Sequence, residues 1–318
     1  MSSVNVIVFG ATGTVGAAAA RAAKDRGAKV FLAVRDMDKS IPGLTLEQER
    51  AGGFERVKAD LSAPETLRAA VATTNATRAF VYIAFGMPDG MKSAFEALKS
   101  AGIKFIVFLS SAGVRGDPRS AKPDDAISWV HAQAEISLEE TFGGQGYVAL
   151  RPGFFNTNAL WWVEMIRADD MRLAYPEAKL DWIAPEDIGR VGGAVLVQGR
   201  PAALGGTDGK YNAIRLYGPQ LLSQVEGASV LGRAVGKIFK VTGVGEEEYV
   251  SILSKDKPEI LARNIVALLR ARSGVDGDDG FYAEDIFGEA SAHIEKYTGT
   301  LSTTFEQWLS ENKGLLRG

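Results

Sequence analysis

A glycine-punctuated loop, Gly10-Ala-Thr-Gly-Thr-Val-Gly16, follows directly on the apolar run Val4-Asn-Val-Ile-Val-Phe9 and opens into the alanine-rich stretch 17–23. The run has the length of a short buried strand, and the alanines favour a helix. Glycines three residues apart allow a sharp turn, a close approach of backbone to a ligand's phosphates, and tight packing of the new helix on the strand. A helix starting near Thr14 would turn its unpaired N–H groups and partial positive charge onto such an anion. The loop therefore predicts a dinucleotide site and leaves the reaction open.

Strand-like runs over 4–9, 29–34, 55–58, 79–84, 104–109 and 147–150 alternate with helix-like stretches over 14–25, 64–72, 89–100 and 127–141. That alternation predicts an α/β fold of the Rossmann type, a doubly wound parallel sheet covered by helices. Ser62-Ala-Pro-Glu65 has the form of a capping box opening the second helix, with proline in the first turn. After Arg151-Pro152 the character changes. Phe154, Phe155, Trp161, Trp162, Tyr175 and Trp182 crowd together, and glycine breaks at Gly205-Gly206 and 274–280 separate further pieces over 210–216, 221–235 and 238–242. No break is long enough for a linker. The expected organisation is a nucleotide-binding core over 1–152 and a smaller α/β substrate lobe over 153–318, interleaved with that core.

Composition narrows the function classes. The 318 residues are 46% hydrophobic and 24% charged, ordinary for a globular protein. A formal net charge of −3 without any dense Lys/Arg block argues against nucleic acid as a partner. No run nears the ~18 apolar residues of a membrane span, and no basic region precedes a long apolar stretch, so a cytoplasmic protein is expected. With no cysteine, disulfide and thiolate chemistry are excluded, and His131 and His293 are too few for a histidine metal centre. No metal is expected.

In a dinucleotide fold the second strand ends beside the adenosine ribose. Arg35 and Lys39 there suit a 2′-phosphate, which favours NADP, whereas Asp36 could accept from the free 2′-hydroxyl of NAD. A merely solvated loop is the third reading. Asp60-Leu61, after the third strand, falls beside the adenine, where Asp60 either accepts from the adenine amine or caps the next helix. Phe85-Gly86 and Ser110-Ser111 follow the fourth and fifth strands, at the carboxyl edge where ligands bind in open sheets. With Gly10, Thr12, Gly13, Thr14 and Val15 these residues make up the candidate cofactor set.

Together the stretches ending Gly16, Val-Arg-Asp36, Ala-Asp-Leu61, Phe-Leu-Ser-Ser111, Leu-Arg-Pro-Gly-Phe-Phe-Asn156, Asp187-Ile188 and Leu216-Tyr-Gly-Pro219 resemble the NmrA-like branch of the atypical short-chain dehydrogenase/reductases. Glu295-Lys-Tyr-Thr-Gly299 and Phe305-Glu-Gln-Trp308 look like the tail of the fungal group that includes ergot-alkaloid iminium reductases. The resemblance implies NADP binding, a tailoring role in specialised metabolism, and Pro152, Gly153 and Phe154 packed along the nicotinamide. The wider family uses a Tyr-x-x-x-Lys pair, in which the tyrosine moves a proton at the substrate's oxygen and the lysine lowers its pKa. Counting back from Gly146-Tyr-Val-Ala-Leu-Arg-Pro152 puts that pair on a helix over 129–140, where this chain reads His131-Ala-Gln-Ala-Glu135.

Four-residue spacing keeps both side chains on one helical face. As a proton shuttle, His131 would titrate near neutrality, with Glu135 fixing its tautomer and favouring the cation. Otherwise His131 caps a pocket and Glu135 sits on a solvated face. Ser111 either orients a substrate or caps the loop after the fifth strand, and His293 is expected at the surface or in packing. An iminium, unlike a ketone, needs no proton on oxygen as hydride arrives. The expected function is NADP-dependent hydride delivery to a C=N or conjugated C=C bond of a bulky hydrophobic natural product, with a small hydrophobic substrate as the partner. The aromatics after Pro152 would line its pocket or simply form core. A redox-sensing NADP-binding regulator without turnover and a cofactor-dependent cyclase or isomerase stay open, as does a homo-oligomer.

Overall fold

A computed structural model describes residues 3–201, 204 and 209–317 of the chain. The break at Gly205-Gly206 lies outside the described residues. Two units of dense internal contact emerge. The first comprises Met1–Pro152, Pro185–Leu216 and Ala292–Leu301, and the second Gly153–Ala184, Tyr217–Ser291 and Ser302–Gly318. Residues 185–216 and 292–301, which follow Pro152 in the chain, belong with the first unit.

In chain order the elements are β1 (Asn5–Phe9), α1 (Thr14–Asp25), β2 (Lys29–Val34), α2 (Leu46–Ala51), β3 (Glu55–Lys58), α3 (Pro64–Thr74), β4 (Arg78–Tyr82), α4 (Lys92–Ala101), β5 (Phe105–Leu109), α5 (Ala126–Phe142) and β6 (Tyr147–Pro152). After them come α6 (Val163–Ala168), β7 (Met171–Leu173), β8 (Lys179–Leu180), α7 (Pro185–Gln198) and β9 (Ala213–Leu216). Seven strands of the first unit form one parallel sheet in the order β3-β2-β1-β4-β5-β6-β9. The expected strand over 79–84 ends at Tyr82, which leaves Ile83–Gly86 as loop.

Both sheet faces are covered, which is why the strands read as continuous apolar runs. Ile7 and Phe9 join Phe31, Leu67, Phe95, Phe108 and Leu138 in a core beneath α3, α4 and α5. Val6 and Val8 point the opposite way, as a period of two requires, and are also fully buried. On that side α1 and α7 pack closely through small residues. A Cβ added at Gly189 would lie 2.4 Å from the Val15 carbonyl, and one at Gly193 2.4 Å from that of Ala19. Helix α7 thereby backs the first turn of α1.

One local expectation needs correction. The N-cap of α3 is Ala63 with no side-chain cap, because the Ser62 hydroxyl donates instead to Asp60 (2.8 Å). Pro64 does occupy the first turn. The unforeseen helix α2 is opened by a reciprocal capping box between Thr45 and Gln48.

The second unit has no large sheet among its described residues. β7 pairs with Val241–Gly243 and β8 with Leu222–Ser223. Aromatic rings cluster within its largely aliphatic core. Trp182 stacks on Phe305 with centroids 4.3 Å apart, and meets Phe154 and Trp162 edge-on at 5.1 and 5.5 Å. Phe154, Trp162 and Trp182 are buried against one another, so these residues form core rather than the walls of an open pocket. No helix among the described residues is long and apolar enough to cross a membrane.

Candidate functional site

The order of the parallel sheet reverses direction between β1 and β4, and the carboxyl ends of the strands at such a switch point bound a crevice. The glycine loop lies there. Gly10 has φ +73°, and a Cβ on it would lie 2.7 Å from the Tyr82 ring at the end of β4. The Gly13 N–H donates to the Gly10 carbonyl (2.9 Å), which closes the turn. A Cβ at Gly16 would sit 2.2 Å from that same carbonyl. Gly10 and Gly16 are thus demanded by the fold itself.

Gly13 is not. Its φ of −105° suits any residue, and the nearest atom to an added Cβ is 3.5 Å away. Gly13 is exposed and serves as the N-cap of α1, yet no side chain caps that helix and no acidic residue occupies its first turn. The first-turn N–H groups and the positive end of the helix dipole meet an open backbone surface, flanked by Thr12, Thr14 and Val15. These are the features of an anion cradle, and a pyrophosphate fits them.

At the end of β2, Arg35, Asp36 and Lys39 are all exposed. The Asp36 carboxylate accepts the N–H of Asp38 (3.0 Å), which engages it in its own turn. Arg56 on β3, which the sequence reading passed over, pins this loop by donating to the carbonyls of Met37 and Lys39. A two-pronged ion pair with Glu49 (2.6 and 2.8 Å) holds Arg56 in place. Asp60 accepts both the N–H and the hydroxyl of Ser62. The Ser62 backbone N–H, more than the Arg35 charge, keeps that carboxylate below its ordinary range. Asp60 therefore organises the entry to α3, while Leu61 beside it is buried.

His131 and Glu135 lie one turn apart on α5, both buried, but they do not act on each other as expected. Glu135 and Arg151 are each 0% exposed and form a buried ion pair, Arg151 Nη2 to Oε2 at 2.7 Å and Nε to Oε1 at 3.1 Å. The Ser110 hydroxyl donates to the same carboxylate (2.5 Å), and Arg151 also donates to the Gly116 carbonyl (3.0 Å). Glu135 thus ties α5 to β6 and to the loop after β5.

The tautomer of His131 is set instead by the Ile127 carbonyl, 2.7 Å from Nδ1. Burial lowers the imidazole's pKa, outweighing that hydrogen bond and the charge of Asp125. A neutral ring, protonated on Nδ1 and with its lone pair on Nε2, replaces the expected cation. Ser111 accepts the Gly113 N–H through its hydroxyl (3.2 Å), which is loop capping. Phe85 sits edge-on to the His131 ring, and Gly86 behind it turns at φ +84°. His293 is buried in packing, with Nδ1 on the Arg215 carbonyl.

Pro152 ends β6, and its carbonyl accepts the Ala112 N–H (2.9 Å). Gly153 and Phe154 belong to the second unit, where they meet a group that sequence reasoning missed. Asp181 accepts the N–H groups of Phe154 (2.8 Å) and Gly218 (2.9 Å) and the hydroxyl of Tyr282 (2.7 Å). A Cβ at Gly153 would lie 2.3 Å from the Asp181 carboxylate. Burial pushes the Asp181 pKa up to about 6 despite three donors. Nothing local in the sequence marks Asp181, whose partners lie up to 101 residues away.

Comparison with known proteins adds to this geometry. A family described as NAD(P)H-binding matches residues 10–170. The nitrogen metabolite regulation-like protein bik4 of Gibberella fujikuroi is 38% identical over 319 residues, covering 96% of this chain and 95% of that protein. An NAD(P)H azoreductase of Xenophilus azovorans is 28% identical over 262 residues, covering 81% of this chain and 83% of that one. Among solved structures, the NADPH complex of an NADPH-dependent quinone oxidoreductase from Escherichia coli superposes with a TM-score of 0.72 at 18% identity, covering 96% and 99% of the two chains. That last likeness is one of fold.

Proposed function

Because this chain belongs to the NmrA-like family of NAD(P)-binding proteins, we propose that it is an NADPH-dependent reductase acting on a conjugated C=N or C=C bond of a bulky hydrophobic molecule. The observation that carries the proposal is the open flank of Gly13 beside the uncapped N-terminus of α1. Gly10, Thr12, Gly13, Thr14 and Val15 would hold the pyrophosphate. Arg35 and Lys39 would take the 2′-phosphate, a role favoured by the engagement of Asp36 in its own turn. Asp60, Leu61, Gly86, Ser110 and Pro152 complete the first-unit set, with the exposed Phe85 ring beside it left to face the substrate. When bound, the reduced nicotinamide supplies a hydride.

The substrate class follows from what the neighbouring residues can do with a proton. Glu135 is locked between Arg151 and Ser110, and His131 is neutral with its one ring proton on a backbone carbonyl. Neither is poised to deliver a proton to a carbonyl oxygen, as ketone reduction requires. An iminium carbon, or the β-carbon of a conjugated system, accepts hydride without that step and takes any later proton from water. The protein's part is to orient the acceptor and to exclude water during hydride transfer, the later proton arriving once the site reopens.

Two measurements test this. NADPH is expected to bind at least about tenfold tighter than NADH in equilibrium titration. Its near-ultraviolet absorbance should fall when iminium or enone acceptors are added. Failure of every such acceptor would overturn the reductase assignment. The name of the 38%-identical relative favours a second reading, an NADP-binding regulator without turnover. Equal affinity for NADP and NADPH with no oxidation would support it.

A further inference from the structure

Phe85 is the one exposed aromatic side chain among all the described Phe, Tyr and Trp residues, at 71%. Leaving a phenylalanine in water forfeits burial worth roughly 2 kcal/mol, so a lone exposed ring beside a crevice marks a contact surface. It stands on the loop after β4, at the carboxyl edge of the sheet, with its ring edge-on to His131 at a centroid distance of 6.1 Å and an angle of 86°. His131 itself keeps only 7% of its surface accessible. With the Ile127 carbonyl taking the Nδ1 proton, Nε2 can accept a hydrogen bond and cannot give one. A carbonyl or ether oxygen brought to that nitrogen would face lone pair with lone pair. A hydroxyl or N–H would be held.

We propose that Phe85 and His131 together select the substrate: a flat conjugated molecule whose ring stacks on Phe85 and whose O–H or N–H donates to His131 Nε2. This deepens the reductase reading and rests on it for the identity of the crevice. Phenolic and enolic ring systems qualify, as does a secondary iminium, whose N–H is a donor. Fully alkylated analogues of the same shape do not.

The test is equilibrium binding of 2-naphthol and of its methyl ether to the full-length protein saturated with NADP, so that turnover plays no part. The wild type should bind naphthol about tenfold tighter than the ether, the worth of one hydrogen bond. His131→Leu should bring that ratio to about one, and His131→Gln, which retains an acceptor, should recover part of it. Phe85→Ala, a surface change that leaves the core untouched, should weaken both ligands about fivefold without altering the ratio. Phe85→Trp should restore both affinities. Equal or absent binding of the two ligands by the wild type, or an unchanged affinity in Phe85→Ala, overturns the proposal. If naphthol is selected as described but no acceptor is reduced, the reductase assignment fails alone. If acceptors are reduced without this discrimination, the selection by Phe85 and His131 fails alone.

Discussion

Removing the Glu135 carboxylate separates an anchoring role from a catalytic one. In the folded chain Arg151 has no exposed surface, and its charge is met by Glu135 through two hydrogen bonds. Glu135→Ala strands that charge in the interior, which costs about 3–5 kcal/mol, and it takes from Ser110 an acceptor worth ~1 kcal/mol. The combined loss of about 4–6 kcal/mol is a large share of the roughly 5–15 kcal/mol that keeps a domain folded. The double variant Glu135→Leu with Arg151→Met removes both charges and should return to within about 2 kcal/mol of the wild type. Part of that residue is the Gly116 carbonyl, left without its arginine donor. Urea unfolding followed by far-ultraviolet circular dichroism reads each difference, and the two singles and the double close a mutant cycle. A loss below ~1 kcal/mol in Glu135→Ala, or a double variant less stable than either single, would refute the reasoning. A catalytic Glu135 would give the opposite pattern, activity lost at unchanged stability.

Three further outcomes are expected. Gly13→Ala should fold with stability within ~1 kcal/mol of the wild type, yet lose at least tenfold in NADPH affinity, whereas Gly16→Ala should cost about 1–3 kcal/mol in thermal unfolding because its methyl meets the Gly10 carbonyl. Replacing Arg35 and Lys39 together by alanine should weaken NADPH binding about tenfold or more in equilibrium titration and leave NADH within ~2-fold. Asp181 has its pKa raised to about 6 by burial, so its contribution to stability grows as pH falls through that value and is lost as pH rises through it. From about pH 7.5 to about pH 5 the wild type should gain roughly 1.4 kcal/mol relative to Asp181→Asn, and parallel pH profiles of the two in urea unfolding would contradict this.

Much of the fold was legible because it is written in short-range pattern. The boundaries of α1 match the expected helix, and β2 and β3 match their expected strands, since glycine spacing and apolar runs act within a few residues. The same locality explains the error at Ser62. A capping box looks complete in sequence, but Asp60, two residues back, competes for the Ser62 hydroxyl and wins. α7 was not among the expected helices, and only α1 packed against Gly189 and Gly193 gives their absence of side chains a purpose.

The candidate site divides along the same line. The sequence by itself determined the glycine loop, the cationic edge at Arg35 and Lys39, and the placing of His131 and Glu135 on one helical face. All of these follow from chemistry carried within a turn or a strand end. Only the tertiary structure decided what those groups do. Glu135 became an anchor when β6 brought Arg151 beside it, His131 became neutral because burial outweighed its hydrogen bond, and Gly153 became obligatory through Asp181. The protonation and the pairing of a buried group depend on partners that strand register brings together from distant parts of the chain, and no local pattern names them.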